Sequence, residues 1–121
     1  MKAVDRIFGW ILVVSAILHG VGSYMGYKHA PMTMLWALTG SLAALLVAAI
    51  NLVRAGRLND RPVAWIALGG SVAWAAAAFT FGVLIGNVFD ARALIHTVTA
   101  LVLAGFSVKT VLGGGKVVSS V

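Results

Sequence analysis

Cysteine and glutamate are absent from this chain, and only three aspartates and two prolines occur in its 121 residues. Without cysteine there is no disulfide framework, no thiolate metal site and no thiol nucleophile. Without glutamate, the carboxylates are Asp5, Asp60 and Asp90, and all three fall outside the long apolar stretches. A proton-coupled antiporter carries an exchanging carboxylate inside the membrane, so this pattern points away from one. Charge of either sign is scarce: 10% of residues are Asp, Glu, Lys or Arg, while 61% are hydrophobic and mean hydropathy is +1.02. A water-soluble domain this short needs far more charge on its surface, so the composition describes an integral membrane protein.

The net charge of +6 invites a nucleic-acid reading, because clustered Lys and Arg bind phosphate. The cations instead stand between apolar runs, where a membrane protein places them, and nucleic acid is excluded as a partner. The partners expected are the lipid bilayer itself and, through small-residue helix faces, a second copy or a larger membrane complex.

Four apolar runs organise the chain. The first, Ile7 to Tyr27, is uncharged over twenty-one residues, enough to cross a bilayer core of ~30 Å as a helix. The spans are expected at about 7–27, 31–54, 62–86 and 91–112. Pro31 and Pro62 suit first helical turns, and Asn59 or Asp60 and then Asp90 suit N-caps. Gly56 suits a left-handed position past the second helix, and Gly113 to Gly115 end the fourth. Short turns between the spans predict a single all-α domain, an integral membrane up-down four-helix bundle.

Seven of the nine cations (Lys2, Arg6, Arg54, Arg57, Arg61, Lys109 and Lys116) fall on one side of this topology. The positive-inside rule then places both termini in the cytoplasm, in a cytoplasmic-type membrane. Arg54 to Arg61 read as a topology signal that also attracts anionic lipid. Trp10 and Trp65 mark one interface, and Tyr24, Tyr27 and Trp36 the other. A shift of sixty residues pairs Gly22 with Gly82 and Gly26 with Gly86, but such small residues are common in any membrane helix and establish no duplication.

In lipid, helices meet through close backbone approach and polar contacts, so small and polar residues should face inward. That assigns Ser15, His19, Gly22, Ser23 and Gly26 to the inner face of span one. Thr33, Trp36, Gly40, Ala44, Ala48 and Asn51 do the same for span two. Gly70, Ala73, Ala77, Thr80, Gly82 and Gly86 follow for span three, and Arg92, His96, Thr99, Ala100 and Ser107 for span four. The two GxxxG pairs, Gly22/Gly26 and Gly82/Gly86, read first as packing within the bundle.

His19 and His96 are the ionisable side chains set inside apolar spans. Each should be neutral and hydrogen-bonded, or bound to metal. They fall at similar depth in the non-cytoplasmic half, on spans that neighbour each other in a ring. In the plainest reading His19 bonds Thr80, Thr97 or Thr99 across helices and only fixes packing. In a second, His19 and His96 are the two iron ligands of one haem b. Gly20 and Gly22 would then make room for the porphyrin, and Arg92 would pair with a propionate. That arrangement resembles membrane b-type cytochromes in architecture and ligand type. In a third, the outer half holds a quinone or lipid, with a histidine hydrogen bond, Trp36 or Trp74 stacking and Thr99 nearby. A zinc site adding His29 requires the outer loop to fold inward, since His29 lies ~15 Å along the helix from His19. The sequence therefore favours a non-enzymatic accessory or ligand-binding membrane subunit. A haem-carrying electron-transfer subunit is the alternative, and a small solute carrier comes third.

Overall fold

A computed structural model describes residues 2–113. It is all-helical over that range: α1 spans Lys2–Tyr27, α2 Pro31–Ala55, α3 Arg61–Leu84 and α4 Ala91–Gly113. Each is long and apolar enough to cross a membrane. The four pack as an up-down bundle in which α1 lies chiefly on α2 and α3 chiefly on α4. The two hairpins close chiefly through α2–α3 and α1–α4. We call the end holding the α2–α3 turn basal and the end holding the other two turns distal.

The helix ends follow from local chemistry. Pro31 and Pro62 occupy first turns, where a missing N–H costs nothing. Asp60 caps α3 by accepting a hydrogen bond from the Val63 amide at 3.1 Å, and the Asp90 carboxylate accepts from the Arg92 amide at 3.0 Å at the start of α4. The left-handed glycine is not Gly56, whose φ of −88° and ψ of −5° are ordinary helical values. It is Gly86, with φ of +76°. There the Asn87 amide reaches back to the Gly82 carbonyl at 2.9 Å and the Gly86 amide to that of Val83 at 3.0 Å, the paired bonds of a Schellman end. Gly113 is still helical, and Gly114 and Gly115, expected to break α4, lie outside the described residues.

Alanine and glycine build the interior. Ala16, Ala44, Ala48, Ala55, Ala64, Ala67 and Ala100 have no exposed surface, and Leu12 and Leu103 fill the centre. Ala48 meets those two leucines, with Phe8, Val13, Val47 and Trp74 around them. Large apolar side chains such as Leu18, Leu46, Leu84 and Leu112 point outward, as lipid allows and water would not. Trp10, Trp65, Tyr24, Tyr27 and Trp36 are all on that outer surface.

Two expected faces are corrected. Thr33 and Trp36 of α2 are exposed, and the buried stripe there is Ser41, Ala44, Ala48 and Asn51. On α3, Ala73, Ala77 and Thr80 are exposed, while Ala64, Ala67, Ser71, Ala75, Ala78 and Gly82 are buried. The reason is that α3 is small-sided almost all round, so size does not select a face. Ser71 and Trp74, which find hydrogen-bond partners on other helices, set its rotation instead.

Candidate functional site

Three aromatic side chains from three helices meet in the distal half. The imidazoles of His19 on α1 and His96 on α4 stand edge to face, with centroids 6.0 Å apart and planes at 73°. The Trp74 indole of α3 meets His96 at 5.7 Å and 71°. Its Nε1–H donates to His96 Nδ1 at 3.2 Å. Gly40 of α2 completes the surround, since a Cβ there would lie 3.6 Å from His19 Nε2 and 3.9 Å from Trp74. The cross-helix bond expected of His19 is therefore made by His96. Thr80 is exposed and returns its hydroxyl to the Ala76 carbonyl of its own helix.

Beside this cluster α1 and α4 part to leave a cavity of about 430 Å³. It runs from Ser15, His19 and His96 past Gly22, Gly26 and Phe81 to Tyr27 and Arg92 at the distal surface. A smaller cavity of about 120 Å³ shares His19, His96, Phe81 and Arg92 and reaches Trp74. Gly22 and Gly26 do not make the helix contact expected of a GxxxG pair. A Cβ at either would meet nothing within 4 Å, so both open onto the cavity. The second pair divides its labour: Gly82 packs within 3.0 Å of Val88 Cα and 3.1 Å of Ala93 Cβ, measured from its would-be Cβ, and Gly86 makes the turn. Gly20, expected to leave room, instead receives Ser41 of α2, whose Oγ would lie 3.3 Å from a Cβ there.

The remaining candidates separate. Arg92 lines both cavities, sits 5.3 Å over the Phe81 ring and is paired with Asp90 at 2.9 Å. That guanidinium holds the Asp90 carboxyl below its ordinary range. Trp36, at 69% exposed, lines neither cavity. Thr99 is buried and also outside both linings. Among the described residues no three or more His, Cys, Asp or Glu side chains are grouped to hold a metal ion, so His29 does not complete a zinc site.

A second polar cluster at the basal end overturns the reading that every aspartate lies outside the apolar interior. Asp5 is 5% exposed and Arg54 is 0% exposed. Arg54 Nη1 and Nη2 donate to the two Asp5 oxygens at 2.8 and 2.6 Å, a bidentate pair. Asn51 Oδ1 accepts from Arg54 Nη2 at 3.1 Å and from Ser107 at 3.2 Å, and Asn51 Nδ2 donates to Ser71 at 2.8 Å. Thr110 completes the set, accepting from Arg54 at 3.4 Å. Arg54 is thus a structural cation joining all four helices, not a surface charge for lipid. The signal available in the sequence was Asn51 and Arg54, one turn apart on α2.

Compared with protein-family models, with curated proteins and with solved structures, the chain matches none.

Proposed function

We propose that this protein is a non-enzymatic membrane subunit that holds a small amphiphile between α1 and α4. One observation carries the reading: Gly22 and Gly26, the pair best suited to draw another helix close, face open space beside two imidazoles. In lipid, small residues normally earn their place through contact, and here they widen a groove. Its volume of about 430 Å³ falls in the usual range for small-ligand pockets. The distribution of cations supports a basal end in the cytoplasm, which puts the groove in the outer half of the bilayer. An accessory role in a homo-oligomer or larger complex fits the exposed small residues Gly69, Ala73 and Ala77 of α3.

The alternatives draw less support. A carrier requires a path, yet Leu12, Ala48 and Leu103, each without exposed surface, pack together between the two polar clusters. Haem b requires a lone pair from each imidazole on one iron. The Trp74 bond takes the lone pair of His96 Nδ1, which leaves the ring proton on Nε2 and no second lone pair for iron.

Native mass spectrometry from a mild detergent tests the groove. The wild-type chain and Gly105→Leu, a lipid-side control with equally open surroundings, should retain a co-purified amphiphile that Gly22→Leu loses. Equal retention in all three would sink the reading. A Soret band lost in both His19→Ala and His96→Ala would establish haem instead.

A further inference from the structure

We propose that a basal cavity between the start of α1 and the end of α4 seats the phosphate head of an anionic phospholipid, held by Lys2 and Lys109. The proposal does not depend on the distal groove.

The cavity, of about 400 Å³, adjoins the buried ion pair. Asp5 and Thr110 are its buried lining, and Lys2, Lys109 and Asn59 are exposed around it. Its charge follows by counting. The Asp5 carboxylate is matched by Arg54 through two hydrogen bonds, so that pair contributes no net charge. Helix α1 starts at this end and α4 finishes there, so the positive end of one dipole offsets the negative end of the other. Lys2 and Lys109 remain, and among the described residues neither is in a salt bridge. Two ammonium groups from separate helices therefore face one space without an anion. The other basal cations differ: Arg54 and Arg57 have Asp5 and Asp60 as partners, and Arg6 and Arg61 lie outside the lining.

Each ammonium carries three donors and no acceptor, and Asn59 adds a neutral amide, a set that suits phosphate oxygens. Depth favours a lipid over a free anion. Lys109 stands four residues before Gly113 at the end of α4, ~6 Å along the axis, which is the thickness of the headgroup layer. Leu58 and Phe106 share the lining and give the glycerol and first chain carbons an apolar surface. A zwitterionic head would bring a cation of its own to the two lysines, so a net negative head is preferred. Anionic lipid in either leaflet would serve, so the site stands or falls apart from the orientation of the bundle.

The test titrates dioctanoyl phosphatidylglycerol and dioctanoyl phosphatidylcholine into the purified protein in mild detergent, read by native mass spectrometry. The wild-type chain should bind the anionic lipid roughly tenfold more tightly, and millimolar inorganic phosphate should not displace it. Lys2→Gln and Lys109→Gln should each weaken the anionic lipid roughly fivefold while leaving the zwitterionic one unchanged. Arg6→Gln/Arg61→Gln removes as much charge from the same end but not from the lining, and should keep the preference. Gly113→Leu adds bulk to the lining and no charge, and its Cβ meets none of the described residues within 4 Å, so it should fold normally and lose the preference. Equal affinity for the two lipids in the wild-type chain would overturn the site. An equal loss in the arginine and lysine double variants would reduce it to surface charge, and a preference intact in Gly113→Leu would remove the cavity from it. Displacement by inorganic phosphate would overturn the lipid assignment in favour of a free anion.

Discussion

Arg54 and Asp5, 49 residues apart in sequence, meet through two parallel hydrogen bonds at 2.6 and 2.8 Å inside the basal end of the bundle. The pair fastens the end of α2 to the start of α1, and Asn51, Ser71, Ser107 and Thr110 extend the bond to α3 and α4. In an apolar setting such a pair is costly to halve, because the surviving charge keeps its desolvation and loses its partner.

Removing one member should therefore destabilise far more than removing both. Arg54→Met or Asp5→Leu alone is expected to cost about 3–5 kcal/mol, and the double variant less than either. Denaturant unfolding in mixed micelles measures all three. Costs that simply add would show that the two side chains do not act as a unit.

Glycines on α3 and α4 should respond in opposite directions. A Cβ at Gly82 would press on Val88 Cα and Ala93 Cβ at 3.0 and 3.1 Å, and backbone cannot give way as a flexible side chain can. Gly82→Ala is expected to cost about 1–3 kcal/mol through overpacking. Gly105 faces open space, so Gly105→Ala should be neutral or gain up to about 1 kcal/mol of helix preference. Thermal unfolding of the two variants side by side decides it.

The spans, their order and most caps could be read from the chain because charge and proline interrupt long apolar runs at regular intervals. Placing His19, His96 and Arg92 around one space was also within reach, since the two histidines fall on adjoining spans at similar depth and Arg92 lies one turn from His96 toward the surface. Rotation was harder. Helix α3 carries alanine on every side, so the direction of Ser71 and Trp74 was invisible until their partners were known. The basal pair was missed because Asp5 precedes the first uncharged run. A helix that begins at Lys2 carries that carboxylate inward one turn earlier than hydropathy suggests.

The start of α4 should loosen in acid. Asp90 is held below its ordinary carboxyl range, first by the side-chain bonds from Arg92. A lowered folded-state value means the contact stabilises above the unfolded-state value and is lost as pH falls through the folded one. The protection factor of the Arg92 amide, its exchange relative to the intrinsic rate at each pH, should therefore fall toward strong acid. In Asp90→Asn the side-chain oxygen remains but the titration does not, so the acid step should vanish. A step that survives that substitution would assign it to another group.

The absence of cysteine makes the orientation directly testable. Leu58 in the α2–α3 turn is 51% exposed and Phe89 in the α3–α4 turn is 77% exposed, so a single thiol at either site is reachable without disturbing the bundle. A membrane-impermeant maleimide applied to intact cells should label Phe89→Cys and spare Leu58→Cys, with both labelled after the membrane is opened. That outcome follows from the charge asymmetry, because Arg57 and Arg61 flank the basal turn while the distal side holds Lys28 and Arg92. Arg54 adds little to the bias, since its charge is already neutralised within the bundle by Asp5. Labelling of Leu58→Cys alone from outside would invert the topology and move the groove to the cytoplasmic half, where a lipid-phase ligand would enter from the other leaflet.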